Sequence, residues 1–215
     1  MRIIVVGAGG HGQVVVDALL ASIRQGADLT LLGFADDAPT LWGEKVLGVP
    51  VLGRVADALA TPHDGIVVAI GNNARRRDLT RQLATAGETF VSVIHPQAVV
   101  SPGAIVGPGS MILAGAVVNT GAYLGLGVIV NTCASLDHHN QIGDYVHIAP
   151  GAHLGGNVRV GEGALIGLGT SVMPQRAIGA WAITGAGATV VHDVPAGATV
   201  VGIPARIIKN VEETA

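Results

Sequence analysis

Residues 98–193 divide into consecutive six-residue blocks without a single insertion, from AVVSPG at 98 to ATVVHD at 188. The third place of the block is Val, Ile or Leu in fifteen of the sixteen blocks, Thr184 being the exception. A helical period of 3.6 cannot keep one residue type in phase with a repeat of six, and a hairpin array alternates at two. A short strand followed by a tight turn every six residues does keep it in phase. The first place is mostly Ala, Val, Ser or Thr, small enough for the inside of a narrow prism, and places four to six are rich in the Gly, Pro and Asn that corners need. The pattern therefore predicts a solenoid whose aliphatic column points inward and stacks from coil to coil. The 32 glycines among 215 residues, and an aromatic content of only 3%, fit a core of small and branched aliphatic side chains.

The first ninety-five residues follow another grammar. Met1–Val6 is a β-branched run leading into Gly7-Ala8-Gly9-Gly10-His11-Gly12, a G-x-G-x-x-G followed by a helical pattern over 13–24. Glycines at those places let backbone amides and a helix N-terminus approach a phosphate. A second strand over 29–35 ends at Asp36-Asp37, about where an acidic residue meets a ribose hydroxyl. A third, over 66–70, runs into Gly71-Asn72-Asn73 and a helix over 74–86. Three such units are half of a dinucleotide fold, so the module is expected to hold one nucleoside diphosphate and not NAD. His95-Pro96 marks the boundary, because the residue before proline is pushed out of helix. The expected organisation is a half-Rossmann α/β domain over 1–95 and an all-β parallel β-helix with a C-terminal tail over 96–215.

Net charge is −3 with no long basic run, which gives no electrostatic footprint for nucleic acid or an anionic membrane. No apolar stretch is long enough to span a bilayer, the one cysteine, Cys133, cannot form an internal disulfide, and the first strand runs straight into a glycine turn. A cytoplasmic protein without membrane insertion is the expectation.

Three of the eight histidines, His138, His139 and His147, fall within ten residues, among Asp137, Asn140, Asp144 and, further back, Asn131. At this point the chain resembles the sugar O/N-acyltransferase family of the hexapeptide-repeat superfamily. The resemblance rests on 6–12 (VGAGGHG), 34–37 (FADD), 69–73 (AIGNN), His95-Pro96, the stretch 131–150 and 202–206 (GIPAR), and covers nearly the whole chain. It implies a left-handed parallel β-helix of about five coils, acetyl-CoA as co-substrate with no metal, a nucleotide-linked amino sugar as acceptor, and a homotrimer with active sites between subunits. It also implies roles: His138 as catalytic base, with Asn131 and Asp137 beside it. Gly9, Gly10, His11, Gly12, Asp36, Asp37 and Asn72 would lie on the nucleotide sugar. His147, Gly143, Gly167, Gly185, Gly187 and Arg206 would lie along acetyl-CoA. The family often carries Asp or Glu after the catalytic histidine, where this chain has His139, which leaves Asp137 and Asp144 as candidates to orient His138.

Transfer of acetyl from a thioester to an amine needs a base for the departing proton and donors for the developing oxyanion, and histidine titrates in the right range. Cys133 could instead carry an acyl group, but no basic cluster surrounds it in sequence, which favours direct attack. The expected activity is N-acetylation of a nucleotide-linked 4-amino-4,6-dideoxy sugar in bacterial surface-glycan (lipopolysaccharide O-antigen) biosynthesis. The alternatives are a sialic acid-type O-acetyltransferase, a metal-dependent β-helix hydratase of carbonic anhydrase type using His138, His147 and His153, and a nucleotide-sensing scaffold.

Overall fold

A computed structural model describes residues 1–209 of the chain. The N-terminal part is a five-stranded sheet in the order β3-β4-β2-β1-β5, formed by β1 (Arg2–Val6), β2 (Thr30–Ala35), β3 (Lys45–Val46), β4 (Val49–Gly53) and β5 (Gly65–Val68). Strands β4, β2, β1 and β5 run parallel, and β3 is an antiparallel edge. Helix α1 (Gly10–Arg24) links β1 to β2, the single-turn α2 (Val55–Ala58) links β4 to β5, and α3 (Asn73–Thr85) follows β5 and leads to the second part of the chain. The chain builds outward from β1 to β4 and then crosses to the far side of β1 for β5. A ligand crevice belongs at that reversal, outside the carboxyl ends of β1 and β5. Helix α1 begins at Gly10, three residues before the expected start, because Gly9 is already its N-cap and the glycine loop supplies the first turn. The β3–β4 hairpin was not anticipated. Its turn, Leu47-Gly48, has positive φ at both residues (53° and 77°), the two-residue turn that matches strand twist.

The hexads form a left-handed parallel β-helix of triangular section. Its first face holds six strands from Val99–Val100 to Thr189–Val190, its second five from Ile105–Val106 to Ala177–Ile178, and its third eight from Val93–Ile94 to Arg206–Lys209. Along each face a residue pairs with the residue eighteen further on, as Val117 with Val99 and with Ser135, which is three hexads to a coil. The solenoid outruns the hexad count at both ends. Val93–Ile94 already pairs with Met111–Ile112, and Thr199–Val200 pairs with Ile183–Thr184 before an antiparallel strand closes the third face.

The third-place column forms the inner core, including Ile112, Val118, Leu124, Leu136, Ile142, Ile148 and Ile166. Each such side chain contributes roughly 1.5–3 kcal/mol by leaving water. Thr184, the exception in that column, is also buried, and its hydroxyl accepts from Gly167 N at 3.0 Å and meets Thr170 Oγ1 at 3.0 Å. Every sixth residue from Gly109 to Gly187 has positive φ, so each corner turns through the left-handed region at the sixth place of its block. Glycine serves most of these places, but Cys133, His139, Tyr145, Asn157, Gln175 and Trp181 hold the same geometry with φ between 56° and 63°.

The first residue of each strand pair on the third face points outward, and there the two units meet. Val93, Met111 and Ile129 share one buried cluster with Val15, Ala18 and Leu19 of α1. Helix α3 docks beside it: Asn73 Nδ2 donates to the carbonyls of Gly163 and Ala164 at 3.0 and 3.1 Å.

Candidate active site

At the carboxyl ends of β1 and β2 lies a cavity of about 330 Å³ lined by Gly7, Asp36, Asp37, Ile70, Arg75 and Gln82 among others. The four motif glycines do different things. A Cβ on Gly12 would stand 1.9 Å from the carbonyl oxygen of Gly7, so that glycine is required for α1 to pack on β1, and Gly7 itself has φ +104°. Gly9 and Gly10 have no atom within 4 Å of where a Cβ would lie. Their amides open the helix N-terminus to an anion. Asp36 and Asp37 are partly engaged already. Asp36 accepts from Ala8 N and Ala38 N at 2.8 and 2.9 Å, tying the glycine loop to the end of β2, and Asp37 accepts from Val55 N at 3.0 Å. Asn72 caps α3, accepting from Arg75 N at 2.9 Å, and lies on a neighbouring groove and not in this cavity.

The glycine loop carries His11 onto the third face of the β-helix, where its ring lies 6.1 Å from that of His147. Asn131 Nδ2 donates to His147 Nε2 at 3.0 Å, while Asn131 Oδ1 accepts from Thr132 N at 2.8 Å, which fixes the amide's orientation. An N–H can meet only a bare ring nitrogen, so the proton of His147 sits on Nδ1. Burial pushes His147 down to about 3, with the Arg76 cation and His11 adding to the effect against a hydrogen bond with the Gly71 backbone. Burial and then Arg76 push His11 down to about 4, and its Nε2 is buried without a partner. Both rings are therefore neutral at physiological pH, and an apolar groove of about 530 Å³ runs on from His147 past Leu165, Gly167, Leu168, Trp181 and Ile183.

His138 is elsewhere. It stands at the corner joining the first face (Ser135–Leu136) to the second (Gln141–Ile142), the edge of the prism opposite the third face. The imidazole is exposed, its Nδ1 lies 3.1 Å from His139 Nδ1, and it rests against Gly156, where a Cβ would come within 2.5 Å of the ring. The two carboxylates put forward to orient it do not touch the ring. Asp137 accepts from the backbone N of His138 at 2.7 Å and from Asn119 Nδ2 at 3.3 Å. Asp144 accepts from Leu126 N at 2.8 Å at another corner. His153, on the first face, bonds Ser135 Oγ at 2.8 Å, so His138, His147 and His153 lie on three separate parts of the prism and form no common ligand set within the chain.

The residues expected along acetyl-CoA are also dispersed within one chain. Gly143 is at the corner between the second and third faces, Gly167, Gly185 and Gly187 are at the corner between the third and first, and Arg206 is on the closing strand, donating to Ala205 O. Gly143, Gly167 and Gly185 have a structural reason to be glycine: a Cβ would meet the next coil at 2.8, 2.3 and 2.6 Å. Cys133 is exposed at a corner of its own.

Sequence reasoning missed three neighbouring arginines on α3, which project about 100° apart around the helix. Arg75 lines the cavity beside Asp36 and Asp37. Arg77 lies 4.6 Å over the Trp181 ring. Arg76 is fully buried, and donates to the carbonyls of Ile70, Gly127 and Tyr145 at 2.7–2.9 Å and to Asn73 Oδ1 at 2.9 Å. Burial lowers its pKa to about 10, which leaves it cationic. The run Arg75-Arg76-Arg77 in a helix facing the glycine motif was the signal.

Residues 2–83 match the PglD N-terminal domain. Over 213 aligned residues, 95% of each chain, the protein is 36% identical to the GDP-perosamine N-acetyltransferase of Escherichia coli. Two solved structures share both parts of the architecture. PerB from Caulobacter crescentus, in complex with CoA and GDP-perosamine, superposes with a TM-score of 0.90 at 36% identity, covering 97% of this chain and 98% of that one. The acetyltransferase domain of PglB from Neisseria gonorrhoeae, in complex with acetyl coenzyme A, superposes with a TM-score of 0.88 at 41% identity, covering 96% and 98%. With a crevice at the carboxyl edge of the N-terminal sheet, a glycine loop aimed at an interdomain histidine pair and a hexapeptide β-helix in one chain, the protein belongs to the sugar O/N-acyltransferase family and is an acetyltransferase that uses acetyl-CoA.

Proposed function

We propose that the chain N-acetylates a nucleotide-linked 4-amino-4,6-dideoxy sugar, with GDP-perosamine as the first candidate, in the cytoplasmic steps of bacterial surface-glycan biosynthesis. The observation that supports this is the run of neighbouring groups from the open amides of Gly9 and Gly10 through His11 to His147 and Asn131, along which a sugar would lie on the third face if its diphosphate sat on the helix N-terminus. Arg75, beside Asp36 and Asp37, supplies a cation for that diphosphate. Relatives alike over the whole chain are named for GDP-perosamine, which supports the choice of sugar.

In this reading His138 is the general base. His147 cannot be, since its Nε2 is engaged by Asn131 and its basicity is suppressed. His138 lies across the prism from the sugar path, so the base that completes a site comes from a neighbouring copy, and the enzyme works as a homotrimer with three inter-subunit sites. The neutral sugar amine attacks the thioester carbonyl, the C–N bond forms as His138 takes the proton, and the C–S bond then breaks so that CoA leaves as the thiol with that proton. Gly167 and the groove beyond His147 would receive the pantetheine arm.

The test is thiol release from acetyl-CoA with GDP-, UDP- and dTDP-linked 4-amino sugars. Turnover fastest with a GDP sugar is expected, and no turnover with any amino sugar nucleotide would overturn the reading. His138→Ala should lower kcat by roughly 10²- to 10⁴-fold with near-normal KM values.

A further inference from the structure

Among the described residues, the imidazole of His138 has one side-chain partner, and it is not a carboxylate. Its Nδ1 lies 3.1 Å from His139 Nδ1, with the rings edge-on at 76° and centroids 5.3 Å apart. Two bare or two protonated nitrogens would repel at that distance, so one nitrogen carries the proton and the other accepts it. The pair is held from several sides. His139 occupies the left-handed sixth place, φ +58°, and its backbone N donates to Thr120 O at 3.0 Å. Its ring covers Gly121, where a Cβ would meet Cδ2 at 2.5 Å, just as the His138 ring covers Gly156. The corner one coil before is Asn119-Thr120-Gly121 and the corner one coil after is Gly155-Gly156-Asn157, neither with an ionisable group. The charged group that faces the pair from its own corner is Asp137, whose carboxylate is turned to the His138 backbone N and to Asn119.

We propose that His139 is the positioning residue for His138: its Nδ1 accepts the Nδ1–H of His138 and so fixes the tautomer whose Nε2 lone pair is free to act. The proposal rests on His138 being the base. As the sugar nitrogen bonds the acetyl carbon, its N–H breaks toward His138 Nε2. The C–S bond then breaks and the CoA sulfur leaves with that proton, which restores the neutral pair. While His138 is protonated, the shared hydrogen spreads the positive charge over two rings, as a neutral counterpart of the carboxylate–histidine arrangement. One proton added to the resting pair from solvent leaves no base, whichever ring binds it first, because a protonated His139 donates to His138 Nδ1 and forces the proton of His138 onto Nε2.

The experiment combines nitrogen NMR of ¹⁵N-histidine-labelled protein with pH profiles of three variants. In its neutral form wild-type His138 is expected as the Nδ1–H tautomer. His139→Gly suits the backbone there and removes the acceptor. It should return His138 to the Nε2–H form and lower kcat roughly 10- to 10²-fold, part of the 10²- to 10⁴-fold that a general base supplies, with both KM values within about twofold. His139→Asn, which offers an amide oxygen in the same conformation, should recover most of the lost rate. His139→Asp should move the acid limb of kcat/KM to higher pH by about one unit or more, as an adjacent carboxylate favours the imidazolium. An unchanged His138 tautomer and acid limb in His139→Gly, with His138→Ala inactive, would overturn the positioning role alone. A His138→Ala enzyme of normal kcat would instead remove the base assignment on which it stands.

Discussion

Gly156 offers a test of which atom reacts that removes no polar group. A Cβ at this residue would stand 2.5 Å from both Cε1 and Nε2 of His138 and 3.1 Å from Nδ1. Carbon contacts settle near 3.5–4.0 Å, so in Gly156→Ala the ring must retreat by about 1 Å. A displacement of that size at a reacting group costs on the order of 10²-fold in rate, close to 2.7 kcal/mol of transition-state stabilisation. The backbone at 156 is outside the left-handed region, unlike its neighbour Asn157, so alanine adopts it without strain and the coil should persist. The assay is free-thiol release with saturating acetyl-CoA and sugar nucleotide, alongside a thermal melt. The expected result is a kcat about 10²-fold lower, both KM values within twofold and a melting temperature within about 2 °C of wild type. A folded variant that kept kcat within threefold would show that His138 Nε2 is not where the proton goes.

Two further predictions concern the domain junction. Arg76→Met strands three carbonyls that the guanidinium now serves, at about 1–3 kcal/mol each, offset in part by no longer burying a cation; a net loss of about 2–4 kcal/mol should appear as a lower urea midpoint, and an unchanged midpoint would refute the role of Arg76 as the joint. His11 and His147, at about 4 and about 3 when folded against an ordinary 6.5, stay neutral while the unfolded chain takes up protons. Stability should therefore fall as pH drops from 6.5, by at most about 1.4 kcal/mol per pH unit for each ring, less for the solvent along its edge, with the His11 contribution levelling off near 4 and that of His147 near 3. A His11→Gln, His147→Asn double variant should flatten that segment of the melting curve against pH, and a slope equal to wild type would refute it.

The repeat was legible because each hexad is a local rule: the third place must fill the prism and the sixth must turn a corner, whatever else the chain does. Even Thr184 proved to follow it, with its hydroxyl absorbed by Gly167 N and Thr170. The glycine loop was legible for the same reason, since the φ of +104° at Gly7 and the contact of Gly12 with the Gly7 carbonyl both lie within one βα unit. Non-local matters were not. Nothing in 137–144 says that the Asp144 carboxylate turns to the backbone N of Leu126, because that depends on which coil lies beside it. The fourth-place glycines at 143, 167 and 185 fit a ligand surface and a coil-stacking requirement equally well in sequence, and only the neighbouring coil separates the two. Arg76 was invisible as an anchor because its partners are backbone carbonyls as far away as Tyr145, and a carbonyl has no signature in sequence.

The triangular section explains why the polar residues divide as they do. A prism with an aliphatic interior can carry function only on outward positions, and successive outward positions on one face recur every eighteen residues. On the third face the early positions, Met111 and Ile129, are apolar and covered by α1, while the next, His147, is where that cover ends and the groove begins. The N-terminal domain thus sits at a height that delivers the tip of its glycine loop, His11, to the first polar rung. Seating it one coil later would bury His147 under α1 and place His11 against Leu165. His138 precedes His147 by half a coil, so it is fixed at nearly the same height but on the opposite edge. If the enzyme is the proposed trimer, a neighbour related by rotation about an axis parallel to the prism keeps that height, so its His138 would arrive level with His11 and His147, without any long loop to carry it there.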